Sequence, residues 1–232
     1  MIDIHCHILP GIDDGPDDLA TSLEMVRKAA EDGTRQLFAT PHVTEFGPDP
    51  QTISTACTSL QEEVDKAGIP LQLHFGADVP SSLGPAGCKL YPLAGSRYHL
   101  LEFPHSHLPA DAEQLIFFVV TSGLIPIITH PERNRSLIAD PDRLEPLVAA
   151  GGLVQVTAAS LLGSFGPDSR ACSRMFLRHG LVHFLASDGH DPYLRPPVMS
   201  AGVKEAVRII GPQANQLVNE NPARILADID WD

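Results

Sequence analysis

The chain has 232 residues, 43% of them hydrophobic and 19% charged, enough to bury a sizeable core within one domain spanning residues 1–232. A net charge of −13 with only 16 Lys and Arg argues against binding to a phosphate backbone, so no nucleic-acid partner is expected. No apolar run reaches the roughly 18–20 residues that cross a bilayer, no basic and apolar leader opens the chain, and Cys6, Cys57, Cys88 and Cys172 form no C-x-x-C pair; the expectation is a protein without membrane insertion in a reducing cytoplasm.

The first apolar run, "IDIH" (2–5), opens a strand that carries His5 and His7 two residues apart, and an Asp13-Asp14-Gly15 turn follows. A helix is predicted over 16–33, with Pro16 in its first turn, acids beside the positive end of its dipole and Gly33 as the stop. The second strand, "QLFAT" (36–40), leads to His42 and a helix over 51–68; the third, "LQLHF" (71–75), leads to Asp78. "HLLEF" (99–103) carries Glu102 and precedes a helix over 109–123, and "IPIIT" (125–129) delivers His130 before a helix over 140–152. "LVQVT" (153–157) precedes a helix over 169–180, and "HFLAS" (183–187) delivers Asp188 and His190 before a helix over 197–211.

This alternation predicts an α/β fold with a parallel sheet, and short, near-continuous apolar strands predict burial on both faces. An open doubly wound sheet gathers ligands mainly at a switch point, whereas a barrel brings the C-terminal ends of all its strands to one mouth. Six of the seven runs deliver an acid or a histidine at or just past that end, which favours a seven-stranded barrel.

In a strand, residues i and i+2 face the same way, roughly 6.5–7 Å apart along the backbone, so His5 and His7 can reach one metal ion. A lone His-x-His more often packs one ring and exposes the other. Here "TPH" (40–42), "GAD" (76–78), "LLEF" (100–103), "THPER" (129–133) and "SDGH" (187–190) each place a further ligand where a barrel strand opens. Imidazole with carboxylate suits Zn, Mn or Fe, and the lack of nearby thiolates other than Cys6 argues against a structural cysteine-type zinc site. Clustered cations supply what phosphate-ester hydrolysis needs, namely water activated near neutral pH and clamps for the phosphoryl oxygens. Arg133 and Arg195 follow ligands by three and five residues and are read as phosphate-gripping. Asp13 is expected to support a ligand or cap a helix, and Asp3 to face the opposite side of its strand from the histidines.

The ordered series of H-x-H with its D-D-G turn, T-P-H, G-A-D, L-E-F (101–103), H-P-E-R (130–133), S-D-G-H and R-P-P (195–197) covers nearly the whole chain. It resembles the polymerase-and-histidinol-phosphatase (PHP) superfamily, and within it the manganese-dependent bacterial protein-tyrosine phosphatases of capsule and exopolysaccharide loci (CpsB/CapC-like). The resemblance implies a distorted, TIM-like (β/α)7 barrel with a centre of two or three Mn ions, with Fe or Zn as alternatives. By position, His5, His7, Asp78 and Asp188 would hold the first metal, with Asp78 bridging to a second held by Glu102 and His130. Asp14, His42 and His190 would hold the third, and Arg133, Arg195, His42 and Asp188 would be catalytic. Family members commonly carry Glu where this chain has Asp78, so a shorter side chain would bridge.

The implied reaction is hydrolysis of phosphotyrosine on a protein, with a bacterial tyrosine autokinase of polysaccharide assembly as partner and a homo-oligomer left open. The alternative is a small-molecule phosphomonoesterase, such as histidinol-phosphate phosphatase, using the same centre. A non-catalytic polymerase-attached barrel would have lost the ligands, and an amidohydrolase would typically place a lysine among them; neither fits. "CSRMFLR" (172–178) satisfies a Cys-x5-Arg spacing but has no glycine-bearing loop and reads as an amphipathic helix, so Cys172 is not expected to be a nucleophile. "HSH" (105–107) is assigned to the rim, with Phe46, His105 and Tyr193 flanking the substrate ring, and His74, His99, His179 and His183 are assigned structural roles.

Overall fold

The computed structural model describes residues 1–231. Strands β1 (Ile2–Cys6), β2 (Gln36–Ala39) and β3 (Gln72–Phe75) form one parallel sheet in that order. Strands β4 (Asp78–Pro80), β5 (Tyr98–Glu102), β6 (Ile125–Thr129), β7 (Leu153–Thr157) and β8 (Phe184–Ala186) form a second. Parallel bridges between Cys6 and Gly189 and between His42 and Asp78 join the two sheets. The expected seven strands are thus corrected to eight. Gly76 and Ala77 interrupt the third run, so β3 pairs with β2 while β4 turns to β5. A Cβ on Gly76 would lie 2.5 Å from Leu93 Cδ2, which is why the interruption carries glycine.

The helices are α1 (Leu19–Glu31), α2 (Pro50–Lys66), α3 (Gly84–Leu90), α4 (Ala112–Thr121), α5 (Arg135–Ala139), α6 (Leu144–Ala149), α7 (Ala158–Leu162), α8 (Pro167–Arg178), α9 (Ser200–Ile210) and α10 (Glu220–Ala227). Pro16 lies before α1 rather than in its first turn; Asp18 caps the helix by accepting from the Thr21 N–H at 2.8 Å. The segment 140–152 splits into a 3-10 turn and the shorter α6.

Adjacent strand residues enter different apolar clusters, the signature of strands covered on both faces. Phe38, Leu100, Ile127 and Phe184 pack with Ile4 and Tyr98. Their neighbours Leu37, Leu101, Ile128 and Leu185 pack instead with helix residues such as Met25, Leu60, Ile116 and Phe176. Among the described residues no helix is long and apolar enough to cross a membrane. All four cysteines are free and buried.

His99, in β5, is buried, and burial pushes its imidazole down to about 4 from an ordinary value of 6.5. Below pH 6.5 the unfolded chain takes up a proton that the folded chain refuses, so the neutral ring's contribution is present above that pH and is lost as pH falls towards 4. His99→Leu is therefore expected to gain stability relative to the parent as pH drops from about 7 to 4.5. Urea denaturation at both pH values checks this, and a parent–variant difference that does not move with pH would contradict it.

Candidate metal centre

The strand ends and the loops leaving them converge at one side of the fold. His5 lies in β1 and His7 just beyond it, Asp14 in the following turn, His42 after β2, Glu102 at the end of β5, His130 after β6, and Asp188 and His190 after β8. Asp78 opens β4 instead of closing the third strand. All nine anticipated residues come together in overlapping donor groups: His7, Asp14, His42 and His190; His5, His7 and Asp188; His5, Asp78 and His130; His42, Asp78 and Glu102. Two of them leave their strands in the left-handed region, His130 at φ 34° and Asp188 at φ 51°. For non-glycine residues this costs roughly 1–3 kcal/mol, which the surrounding packing must overcome. The turn that carries Asp14 needs Gly15, because a Cβ there would lie 2.5 Å from the His7 carbonyl oxygen.

Donors to one ion with bonds of about 2.0–2.2 Å stand roughly 3.0–3.5 Å apart. The His5 and His7 Nε2 atoms are 3.1 Å apart, and Asp188 Oδ1 is 3.7 and 3.6 Å from them. His130 Nε2 lies 3.6 Å from Glu102 Oε1, and His190 Nε2 3.5 Å from Asp14 Oδ1. Asp78 Oδ2 is the telling atom. It is buried and accepts no hydrogen bond, yet it has His5 Nε2 at 3.5 Å and His42 Nδ1 and His130 Nε2 at 3.7 Å. A carboxylate oxygen ringed by three imidazoles fits a bridge between cations, and the donor set as a whole suits a borderline divalent metal.

Burial sets the protonation of the centre. It lowers the His5 imidazole to about 4 and holds those of His7 and His130 well below the ordinary range, so all three are neutral and free to donate electron pairs. Burial, then the neighbouring Glu102 and Asp188 charges, drives Asp78 well above the carboxylate range. Burial also works against ionised Asp188, but the Arg133 and Arg195 guanidinium groups hold it below that range.

Supporting contacts fix the ligands. His7 Nδ1 pairs with Asp13 Oδ2 at 2.6 Å, and the same oxygen accepts from the His42 N–H, so Asp13 positions both the His7 ring and the backbone at His42. His5 Nδ1 pairs with Gln155 Oε1 at 2.9 Å; this polar residue within β7 went unnoticed in the sequence. Asp3 is a correction. The period of two gives it the same strand face as His5 and His7, and its Oδ1 accepts from the Ser187 N–H at 3.0 Å and the His5 N–H at 3.3 Å.

Both arginines reach the cluster. Arg133 Nη2 donates to Asp188 Oδ2 at 2.5 Å and Arg195 Nη2 to the same oxygen at 2.9 Å, while the Nε atoms of both are buried without a hydrogen-bond partner. Phe165, which no sequence signal marked, places its ring 4.7 Å from the Arg133 guanidinium carbon and 5.6 Å from that of Arg195. The loop bearing Arg195 is tied to α1, with Lys28 Nζ donating to the Pro192 carbonyl and the Tyr193 hydroxyl donating to Glu24. Tyr193 is thus engaged away from the donors, and Phe46 is 92% exposed. His105, assigned to the rim, is half-exposed but stands 3.7 Å from Glu102 Oε1 and forms a donor group with Glu102 and His130. Cys172 is buried in α8, where burial pushes its thiol up to about 12, opposite to the needs of a thiolate nucleophile.

Because burial raises Asp78 and a ligating carboxylate must be ionised, metal binding is expected to release protons and to weaken as pH falls. Calorimetric titration with Mn(II) in two buffers of different ionisation enthalpy measures the release, and Asp78→Asn should reduce it. Heats independent of the buffer would contradict the assignment.

The family model for capsular polysaccharide synthesis, CpsB/CapC, matches residues 1–227. Tyrosine-protein phosphatase YwqE of Bacillus subtilis (strain 168) is 40% identical over 199 residues, 82% of this chain and 78% of that one. Tyrosine-protein phosphatase CpsB of Streptococcus agalactiae serotype III (strain NEM316) is 30% identical, with 97% of this chain and 98% of the relative covered. Among solved structures, a chain from the work on YwqE of Bacillus subtilis and CpsB of Streptococcus pneumoniae, described as unique metal-dependent tyrosine phosphatases, superposes with a TM-score of 0.94 at 35% identity, covering 100% of this chain and 96% of that one. A β-aspartyl dipeptidase from Fervidobacterium islandicum, at 14% identity and a TM-score of 0.58, shares the fold. With its model matched along almost the entire sequence, the chain belongs to the CpsB/CapC capsular polysaccharide synthesis family.

Proposed function

We infer that this chain is a metal-dependent protein-tyrosine phosphatase. The observation that carries the reading is the pair of arginines with unspent Nε donors beside a buried set of metal donors, in a family whose named relatives are tyrosine-protein phosphatases. His5, His7, Asp78 and Asp188 would hold one ion, Asp78, Glu102 and His130 a second, and Asp14, His42 and His190 a third, with manganese the expected metal. Bound cations would supply Lewis acidity and water activated near neutral pH. The chain's own residues do the rest. Arg133 and Arg195, whose Nη2 atoms meet at Asp188 Oδ2, grip the phosphoryl oxygens and orient the ester. Asp13 and Gln155 hold the ring planes of His7 and His5. A phenolic leaving group needs little protonation, so no dedicated acid is required.

The PHP assignment extends to the fold: with β3 and β4 counted as one interrupted position, the two sheets and their bridges read as a distorted barrel of seven positions. The proposed physiological substrate is the phosphotyrosine tail of a polysaccharide-assembly kinase, met in the cytoplasm, where four free cysteines stay reduced.

Chelation is expected to abolish turnover. His42→Ala and Asp188→Ala should each cost orders of magnitude in kcat, while Cys172→Ser stays within a few-fold of the parent; steady-state kinetics decide, and the reverse ranking would restore the thiol mechanism. Under equal metal loading, kcat/KM on a phosphotyrosine peptide should exceed that on histidinol phosphate. A tenfold preference for histidinol phosphate would move the assignment to a small-molecule phosphomonoesterase.

A further inference from the structure

A cavity of about 170 Å³ opens between α7 and the segment 194–198. Most of its lining residues are apolar, among them Leu162, Phe165, Leu194 and Val198, and four polar residues, Asp188 and Arg195 included, line the rest. An apolar space of about 150 Å³ is enough to hold benzene. Leu194 is 90% exposed and Leu162 46%, so the walls stand at the surface, where a ring attached to a protein can enter.

We propose that this cavity is the subsite for the phenyl ring of the substrate, a specificity device that rests on the phosphatase reading above. In phosphotyrosine one ester oxygen separates the phosphorus from the ring, so a phosphoryl group gripped by Arg133 and Arg195 puts the ring within a few ångströms of their guanidinium groups. Phe165 is where the two requirements meet. Its ring stacks near both guanidinium groups and is also a cavity wall, so it steadies the phosphate grip and presents an aromatic surface to the incoming ring. A phosphoserine side chain ends in a single methylene and would leave the same walls uncovered. The other groove beside the centre, lined by His42, Glu45, Phe46, Ser82, Leu83 and Glu102, encloses about 720 Å³. It is too wide to grip one ring, and two of its lining residues are acidic.

The test uses the metal-loaded chain, O-phosphotyrosine as substrate and inorganic phosphate as a competitive inhibitor without a ring. Leu162→Trp and Val198→Phe narrow the cavity from opposite sides and are expected to raise KM for O-phosphotyrosine at least tenfold. The inhibition constant of phosphate and the metal content by elemental analysis should stay within twofold of the parent, which also shows that the variants are folded. Ser82→Trp, in the other groove, should leave KM unchanged. If both cavity variants keep KM within twofold, if phosphate inhibition weakens in parallel with KM, or if Ser82→Trp raises KM instead, the subsite is overturned while the phosphatase reading stands. A parent that does not turn over O-phosphotyrosine at all overturns both.

Discussion

Asp78 and Asp188 are carboxylates with almost no access to water, and the architecture around them answers to that fact. Burying a charge is costly unless it is paired and hydrogen-bonded. Asp188 meets the requirement with two guanidinium groups. Asp78 does not: its Oδ1 accepts from the Thr129 hydroxyl, and its Oδ2 faces three imidazoles, of which burial keeps those of His5 and His130 neutral. With Asp14 and Glu102 close by, the cluster has four acids, Asp14, Asp78, Glu102 and Asp188, and only two fixed cations, Arg133 and Arg195. Burial and the neighbouring acids accordingly favour the protonated form of Asp78, and bound divalent cations would favour its ionised form instead.

The fold contributes position. Parallel strands point their C-terminal ends the same way, so donors at the strand exits reach one another, and Asp78 joins them from the start of β4. The backbone is bent to that purpose at His130 and Asp188, whose left-handed conformations swing their side chains off the strand line. The same two exits are braced from outside the donor shell: Arg133 reaches from the turn after His130 to Asp188, and Asp191 accepts the N–H groups of Tyr193, Leu194 and Arg195 to shape the loop that presents the second guanidinium. Each arginine thus lies within seven residues of a donor on the same segment.

What the sequence discloses follows from how local each signal is. Continuous apolar runs mark strands buried on both faces, and β6 and β7 occupy the runs predicted for them. Histidines and acids just past those runs mark the donors, because strand exits are where a parallel sheet collects its functional groups. Short elements are less visible. β4 has three residues, two of them apolar, and α5 and α7 are single turns held by tertiary contacts, with no amphipathic period long enough to register. Phe165 is invisible for another reason: it lies in the connection between α7 and α8, and its importance comes from two arginines that stand 32 residues before it and 30 after it in the chain. Asp3 illustrates a different point, since the alternation rule, applied correctly, already places it with the histidines.

The bridge from Cys6 to Gly189 joins the first strand to the exit of the last. Through it, His5 and His7 meet Asp188 and His190, residues separated by most of the chain. During synthesis the early histidines are made long before these partners, so a chain that stops short of β8 lacks two of the nine donors. Only the docking of β8 brings those two donors to the first histidines, so the donor cluster closes late along the chain.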